Sequence, residues 1–280
     1  MGEDGKALNP HTHSSDGAGI PAVCDGAVGT MLIPALDSGE RIEDVAVAQP
    51  DLVTELHQRY LEAGAERVHT ASFLACARGG RARTTIYEAA AACALEACAS
   101  HAGAEAVLTI GPLNSTAREV WGDLELALEL GFTRVHCATL TNEACANAFL
   151  QAWNDVIVSA RIPCDGVMSM SVNPSAHPRL PDWMARLQEA PQLAIGLNCC
   201  EGPTGLGEHA KQLADRWSRV HIAPSAGLPT HGGGADDPGY LQPAAWANAV
   251  MELISEVPVA SVGGCCGTTP DHIVELHKIL

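Results

Sequence analysis

Two adjacent cysteines stand in the glycine-framed segment Gly263-Gly264-Cys265-Cys266-Gly267-Thr268, directly after the apolar run from Val257 to Val262. A second pair, Cys199-Cys200, ends another apolar run, Ile195-Gly196-Leu197-Asn198. Cys199, Cys265 and Cys266 together offer three thiols, the ligand count of a catalytic zinc site that keeps its fourth position open for a substrate. Adjacent residues of a regular strand point to opposite faces, so Cys265 and Cys266 can share an ion only where the backbone turns. Gly263, Gly264 and Gly267 supply the freedom for such a turn. Cys200 is read as a packing residue behind Cys199.

Three thiolates around Zn²⁺ leave a net charge of -1, which suits the metal poorly to water activation and well to another task. A thiol that coordinates the ion loses its proton at neutral pH, whereas a free thiol, with a pKa of about 8.5, mostly keeps it. Such a thiolate can attack an activated methyl group. The plainer reading, two pairs of small buried core residues, stays open on spacing alone. A redox disulfide is disfavoured, because there is no Cys-x-x-Cys and adjacent cysteines rarely meet disulfide geometry.

The elements that must position these residues follow from the apolar pattern. Strand-like runs fall at 22–25, 67–73, 106–110, 134–138, 165–170, 193–198, 220–223 and 257–262. Helical patterns follow them at 51–61, 86–99, 124–130, 143–153, 181–187, 207–217, 243–254 and 271–280. In the first helix Leu52, Leu56 and Tyr60 recur at helical spacing. Short apolar strands separated by helices imply parallel pairing with right-handed crossovers. Eight such units predict a single-domain (β/α)8 TIM barrel over residues 21–280, preceded by a disordered tail over 1–20; a doubly wound open sheet is the alternative. In a barrel Asp25, Ser72, Cys199, Ser225, Cys265 and Cys266 all fall at carboxyl ends of strands, the face that carries catalysis. The segment from Gly232 to Gly239 is expected to lie over that face as a mobile loop. His136 and His221, inside strand patterns, are expected to be hydrogen-bonded barrel residues rather than ligands. Thr269 before Pro270 reads as a helix cap.

Composition narrows the function. With 16 Lys and Arg against 33 Asp and Glu, the formal charge is -17, which argues against nucleic acid or an anionic membrane as partner. Eleven cysteines, and a polar opening without an apolar leader, predict a cytoplasmic protein. No apolar run reaches the ~20 residues of a membrane span, and no phosphate loop or dinucleotide fingerprint is found.

At these motifs the chain resembles the homocysteine S-methyltransferase family, from about residue 22 to the end. Asp25-Gly26-Ala27-Val28-Gly29-Thr30-Met31-Leu32 is similar to the family's opening strand motif and Thr70-Ala71-Ser72-Phe73 to its second. Gly196-Leu197-Asn198-Cys199 and Gly263-Gly264-Cys265-Cys266-Gly267-Thr268 resemble its zinc signature, and Pro224-Ser225-Ala226-Gly227-Leu228-Pro229 is closest to the homocysteine module of cobalamin-dependent methionine synthase. The resemblance implies zinc on Cys199, Cys265 and Cys266, a small-molecule thiol such as homocysteine as substrate, and Asp25, with Ser72 and Ser225, on the substrate side. A separate methylcorrinoid protein is the donor partner that the Pro224–Pro229 likeness suggests.

The chain also departs from the family. A glutamate that holds the substrate ammonium at the end of the fourth strand is replaced by Ala138, with Glu143 the nearest acid in sequence. The stretches 111–131 and 172–182 are shorter, trimming loops over the active face; that leaves a partner over the mouth or a thiol larger than homocysteine as the expectations. The lost anchor motivates an alternative function, a repurposed zinc-thiol binding subunit of a corrinoid methyl-transfer complex without homocysteine turnover.

Overall fold

The computed structural model describes residues 19–36, 41–111, 116–230 and 235–280. Eight parallel strands form one sheet in the order β1-β8-β7-β6-β5-β4-β3-β2. They are β1 (Ala22–Val23), β2 (Arg67–His69), β3 (Glu105–Ile110), β4 (Arg134–Leu140), β5 (Asp165–Met170), β6 (Leu193–Asn198), β7 (Val220–Ala223) and β8 (Ser261–Val262). A parallel bridge between Cys24 and Arg67 joins the two ends of that order, so the sheet closes as the (β/α)8 barrel expected from the alternating pattern.

The helices that cover the barrel are α1 (Val28–Leu32), α2 (Val45–Ala48), α3 (Pro50–Glu62), α4 (Gly80–Ala99), α5 (Ala117–Glu129), α6 (Glu143–Trp153), α7 (Asp182–Arg186), α8 (Gly207–Ala214), α9 (Pro243–Ser255) and α10 (Pro270–Ile279). The two short helices α1 and α2 carry no periodic apolar stripe and were not expected. Helix α5 starts a full two turns before the apolar pattern begins, because Thr116 and Glu119 form a reciprocal capping box that satisfies its first donors. Helix α10 begins, as expected, at the Thr269 cap with Pro270 in its first turn.

Two strand expectations fail for local reasons. The run 67–73 pairs only through His69, because the hydroxyl of Thr70 accepts from the Thr109 amide at 2.9 Å and that of Ser72 donates to the Thr109 carbonyl at 2.7 Å. Side-chain bonds of this kind offer the backbone an alternative to the ladder. The run 257–262 pairs only at Ser261 and Val262, since Pro258 has no N–H to give a sheet.

Trp153, Phe149, Leu124 and Leu140 pack between helices and the outer face of the sheet on one side, and Tyr60, Trp246, Leu32 and Ile273 on the other. Cys93 is buried there, while Cys98 and Cys145 are half-buried. The barrel interior is less ordinary. Barrels usually fill it with branched apolar side chains, but here His69, His136 and His221 meet inside, with ring centroids 4.9, 5.1 and 6.4 Å apart.

The expected tail over 1–20 lies, up to residue 18, outside the described residues, as do Gly232 to Gly234. From Ala235 onward the expected mobile loop is tied down: Asp237 Oδ1 accepts from the amides of Thr230 and Gly239 at 2.7 and 2.9 Å, and Tyr240 bridges to Gly227. Among the described residues no helix is long and apolar enough to cross a membrane.

Candidate metal centre

Strand β8 ends at Val262, and the segment after it is laced to both neighbouring loops. The Gly264 amide donates to the Asp25 carbonyl at 2.9 Å, the Cys265 amide to the Pro224 carbonyl at 3.0 Å, and the Ala226 amide to the Cys266 carbonyl at 2.8 Å. Thr268 turns the chain back: its amide and hydroxyl both donate to the Cys265 carbonyl, at 3.0 and 2.6 Å. This is the turn that lets two adjacent cysteines face one point. The glycines serve it in different ways. Gly267, at φ +78°, needs the left-handed region, whereas Gly264 lacks that conformation and is small because Thr268 fills the space of a side chain.

Cys199 leaves β6 in the left-handed region as well, at φ +51°, an uncommon conformation for a residue with a Cβ. Its carbonyl is held by the Ser171 hydroxyl at 2.8 Å. The result carries its sulfur across the mouth to 2.6 Å from Cys265 Sγ and 3.4 Å from Cys266 Sγ. The three sulfurs all lie within 4.8 Å of one another, the one such cluster among the described residues. Cys200 is buried with its thiol on the Asn198 carbonyl, the packing place expected for it.

The three thiols act on one another. Cys266 accepts from Cys199, Cys265 and Ser225 and is pushed down to about 3. Cys199 is pulled down by its bond with Cys265, but the proton it shares with Cys266 and its burial outweigh that and push it up to about 12. Cys265 is pushed well up by its bonds to Cys199 and Cys266 and by burial. Three closely held sulfurs, one of them favoured as thiolate by the other two, fit a soft or borderline dication, and with an open side they fit zinc in a site that keeps one position for a ligand.

A cavity of about 230 Å³ opens beside the cluster, lined by all three cysteines, Asp25, Ala138, Thr139 and the three interior histidines. Asp25 is buried in its wall and both its oxygens go to one residue: Oδ2 accepts from the His69 amide at 2.8 Å and Oδ1 meets His69 Nδ1 at 2.6 Å. His136 and His221 are hydrogen-bonded barrel residues, as expected, to Ser169 at 2.6 Å and Ser261 at 2.8 Å. Burial first, and the neighbouring histidines second, drive His136 well below its ordinary range; burial and His69 take His221 down to about 3. Both are neutral.

Ser72 and Ser225, expected on the substrate side, do not line this cavity. Ser72 is fully buried with its hydroxyl bonded to Thr70 and Thr109, and Ser225 is turned toward the Cys266 sulfur. Glu143, the nearest acid to the missing anchor, is exposed at the start of α6 and pairs with Arg186 at 2.9 Å, so it does not replace the glutamate lost at Ala138.

Two residues that the sequence reading passed over complete the centre. Asn198 accepts from the Thr139 amide at 3.1 Å and the Ser169 hydroxyl at 2.8 Å. Its Nδ2 donates to Thr139 Oγ1 at 2.7 Å and, over 3.9 Å, to Cys265 Sγ. Thr139 can take that place because β4 bulges between Cys137 and Leu140 and Thr139 adopts φ +59°. Since the single proton of Ser169 goes to Asn198, His136 must donate from Nε2. A polar chain therefore runs from the barrel interior to a cysteine sulfur.

Comparison with known proteins assigns the chain to a family. The model of the family described as homocysteine S-methyltransferase matches residues 22–280. A methionine synthase of Mycobacterium leprae (strain TN) is 29% identical over 316 residues, covering 96% of this chain and 25% of that protein. A methionine synthase of Mycobacterium tuberculosis (strain ATCC 25618 / H37Rv) is 46% identical over 85 residues, 29% of this chain and 7% of that one. The chain thus spans about a quarter of the length of the first of these relatives. Among solved structures, the metallated form of the homocysteine methyltransferase MmuM from Escherichia coli superposes with a TM-score of 0.71 at 20% identity, over 93% of this chain and 96% of that one.

Proposed function

Since the chain belongs to the homocysteine S-methyltransferase family, we propose that it is a zinc-dependent methyltransferase that moves a methyl group to the sulfur of homocysteine. The observation that carries this reading is the convergence of Cys199, Cys265 and Cys266 on one side of a cavity that also holds Asp25. Bound zinc would supply a Lewis-acid position at which a substrate thiol gives up its proton while its sulfur stays nucleophilic.

The residues of the chain do the rest. Cys199, Cys265 and Cys266 are the ligands, and Asn198 and Ser225 orient the sulfurs of Cys265 and Cys266. Asp25 takes the ammonium of the amino acid; a carboxylate has four lone-pair sites, so the two bonds from His69 leave room for it. The cavity of about 230 Å³ is smaller than the 300–1,000 Å³ typical of sites for drug-sized ligands. It suits an amino-acid-sized thiol, which weighs against a larger substrate. Its largely apolar walls keep water from the nucleophile. In the transfer, a sulfur–carbon bond forms as the bond from methyl to donor breaks, and the thiol proton leaves to solvent.

The donor we favour is a methylcorrinoid protein or domain, on the resemblance of Pro224–Pro229. The decisive experiment is calorimetric titration of L-homocysteine into the zinc-loaded protein, in buffers of different ionisation enthalpy, followed by turnover with methylcobalamin, betaine and S-methylmethionine in turn. Binding with release of about one proton, and methionine formed from the corrinoid donor, is expected. Absence of binding to a zinc-replete sample overturns the substrate; turnover with betaine or S-methylmethionine alone overturns the donor. Binding without turnover from any donor is the outcome that favours a zinc-thiol binding subunit, the reading motivated by Ala138.

A further inference from the structure

The amino ends of the strands carry a second cluster of charge, at the opposite end of the barrel from the cysteines. Arg67 opens β2, Glu105 β3, Arg134 β4 and Asp165 β5, and Arg219 immediately precedes β7. They alternate in sign and are joined in that order. Glu105 Oε2 accepts from Arg67 Nε at 3.0 Å and from Arg134 Nε at 2.6 Å. Asp165 accepts from Arg134 Nη1 at 3.0 Å on one oxygen and, across β6, from Arg219 Nη1 at 3.2 Å on the other. This end of a barrel ordinarily serves stability, and ion pairs that only strap strand ends together would balance. These do not: three guanidiniums share two carboxylates, and the series stops on an arginine at both ends.

Between Arg219 and Arg67 the barrel is completed by β8 and β1, each paired over only two residues. Around these strands the lining offers Val259, Ala260 and Ile20, and no acid among the described residues. Glu66, beside Arg67 in sequence, is exposed, gives Oε1 to the Val23 amide at 3.1 Å and does not line the cavity. An alternating ring of six charges therefore lacks one anion at this place. The donors for it are free. Both terminal nitrogens of Arg67, Nη2 of Arg134, and Nε and Nη2 of Arg219 have no hydrogen-bond partner among the described residues, and none of them is sealed from solvent. All three arginines line one cavity of about 500 Å³, which lies back to back with the cavity beside the cysteines, since Cys24, His69 and His221 line both.

We propose that the amino end of the barrel is a binding site for a small oxyanion, a phosphate or carboxylate group held between Arg67 and Arg219 with Arg134 beside it. The planar fork of arginine matches either group with two parallel N–H donors. Bound there, the ion ties β7 to β2 across the two shortest strands, so it braces the seam of the barrel. The site is independent of the methyl-transfer reading.

The test is calorimetric titration of inorganic phosphate, and separately of malonate, into the zinc-loaded full chain in low-chloride buffer, with urea midpoints measured in parallel. Saturable binding of one ion per chain and a rise in the midpoint are expected. Arg67→Gln and Arg219→Gln should each weaken the ion about 10- to 100-fold and lose the rise. Arg186→Gln, which removes the exposed pair with Glu143, should leave both unchanged. Tighter binding of phosphate assigns the site to phosphorylated ligands and tighter binding of malonate to dicarboxylates; either supports the proposal. If Arg67→Gln does not fold, Arg219→Gln, at a side chain 39% exposed, and Arg219→Lys, which keeps the charge without the fork, carry the test. Binding left intact by the arginine variants places the ion elsewhere, the open zinc position first, and overturns the proposal. Absence of binding to wild type overturns it as well; binding regained in Asp16→Asn would then identify a carboxylate of the chain itself as the sixth charge.

Discussion

Asn198 Nδ2 reaches Cys265 Sγ over 3.9 Å while its other N–H is spent on Thr139 Oγ1 at 2.7 Å and its oxygen on Thr139 and Ser169. The side chain has no freedom left, so the sulfur of Cys265 is approached from a fixed direction. Partners of this kind around a metal ligand usually account for 10–100-fold in metal affinity. Asn198→Leu should therefore keep zinc at high metal but lose it about 10–100-fold more easily to a chromophoric chelator in competition. Retention of wild-type affinity would reduce the bond to packing.

Of the three clustered cysteines Cys265 is the most deeply placed, and Cys266 the exposed one. A serine at 265 keeps the shape but gives up a thiolate, the ligand class zinc prefers here. Cys265→Ser should lose stoichiometric zinc, read by metal analysis after gel filtration, and lose methyl transfer with it. Full activity in that variant would remove the metal from the reaction.

The convergence of Cys199, Cys265 and Cys266 was legible in the sequence because pairs of cysteines beside glycine or asparagine break the apolar pattern at strand ends, and Asp25 because it too stands at a strand end. What the sequence did not disclose is what each ligand leans on. Asn198 looks like one more residue of a strand end, and its role depends on the bulge that brings Thr139 alongside, a feature of two strands and not of one. Ser72 looked equivalent to Asp25, yet β2 ends at His69, four residues before the end of the apolar run, and the Ser72 hydroxyl goes to Thr109 rather than to the cavity. His69 was hidden because a histidine inside a strand pattern is ordinarily a core residue; only closure of the barrel puts it against Asp25.

Acid should unfold this protein through its interior histidines. Burial takes His57 to about 4 and His221 to about 3, and His136 well down. In the unfolded chain each binds a proton near pH 6.5. The folded state binds fewer protons between those values, so stability is intact above pH 6.5 and falls as the pH drops toward 4. The slope is about 1.4 kcal/mol per pH unit for each histidine that stays neutral when folded. Urea midpoints at pH 7.5, 5.5 and 4.5 measure it, and a flat response from 7.5 to 4.5 would contradict it.

His57 gives a sharper form of the same argument. It is fully buried on α3 and neither ring nitrogen has a hydrogen-bond partner among the described residues. An unsatisfied buried polar group costs about 1–3 kcal/mol, so His57→Leu, similar in size and apolar, should be neutral or stabilising at pH 7.5. The gain should widen at pH 5, because one proton-binding difference has been removed. Destabilisation by more than about 2 kcal/mol would mean that a ring nitrogen does have a partner, with a buried water the first candidate.

The turn that carries Cys265 and Cys266 is the least tolerant part of the centre. A Cβ added to Gly264 would stand 2.7 and 2.8 Å from Thr268 Cβ and Cγ2, well inside contact distance. Thr268 cannot move aside cheaply: its hydroxyl donates to the Cys265 carbonyl at 2.6 Å and accepts from the Ala27 amide at 3.1 Å, and its carbonyl takes the Tyr60 hydroxyl at 3.0 Å. Relief of the clash must therefore displace the turn itself, and with it two of the three sulfurs. Gly264→Ala should cost about 1–3 kcal/mol of stability, the usual range for overpacking, and should weaken zinc by more than the loss of stability alone would. The comparison to make is with Gly122→Ala, in α5, where a Cβ meets nothing within 4 Å and a helix interior gains about 0.5–1 kcal/mol from alanine. If Gly264→Ala is destabilised but binds zinc as wild type does, the sulfurs do not depend on the turn, and Cys199 must set the geometry from its own left-handed position just after β6.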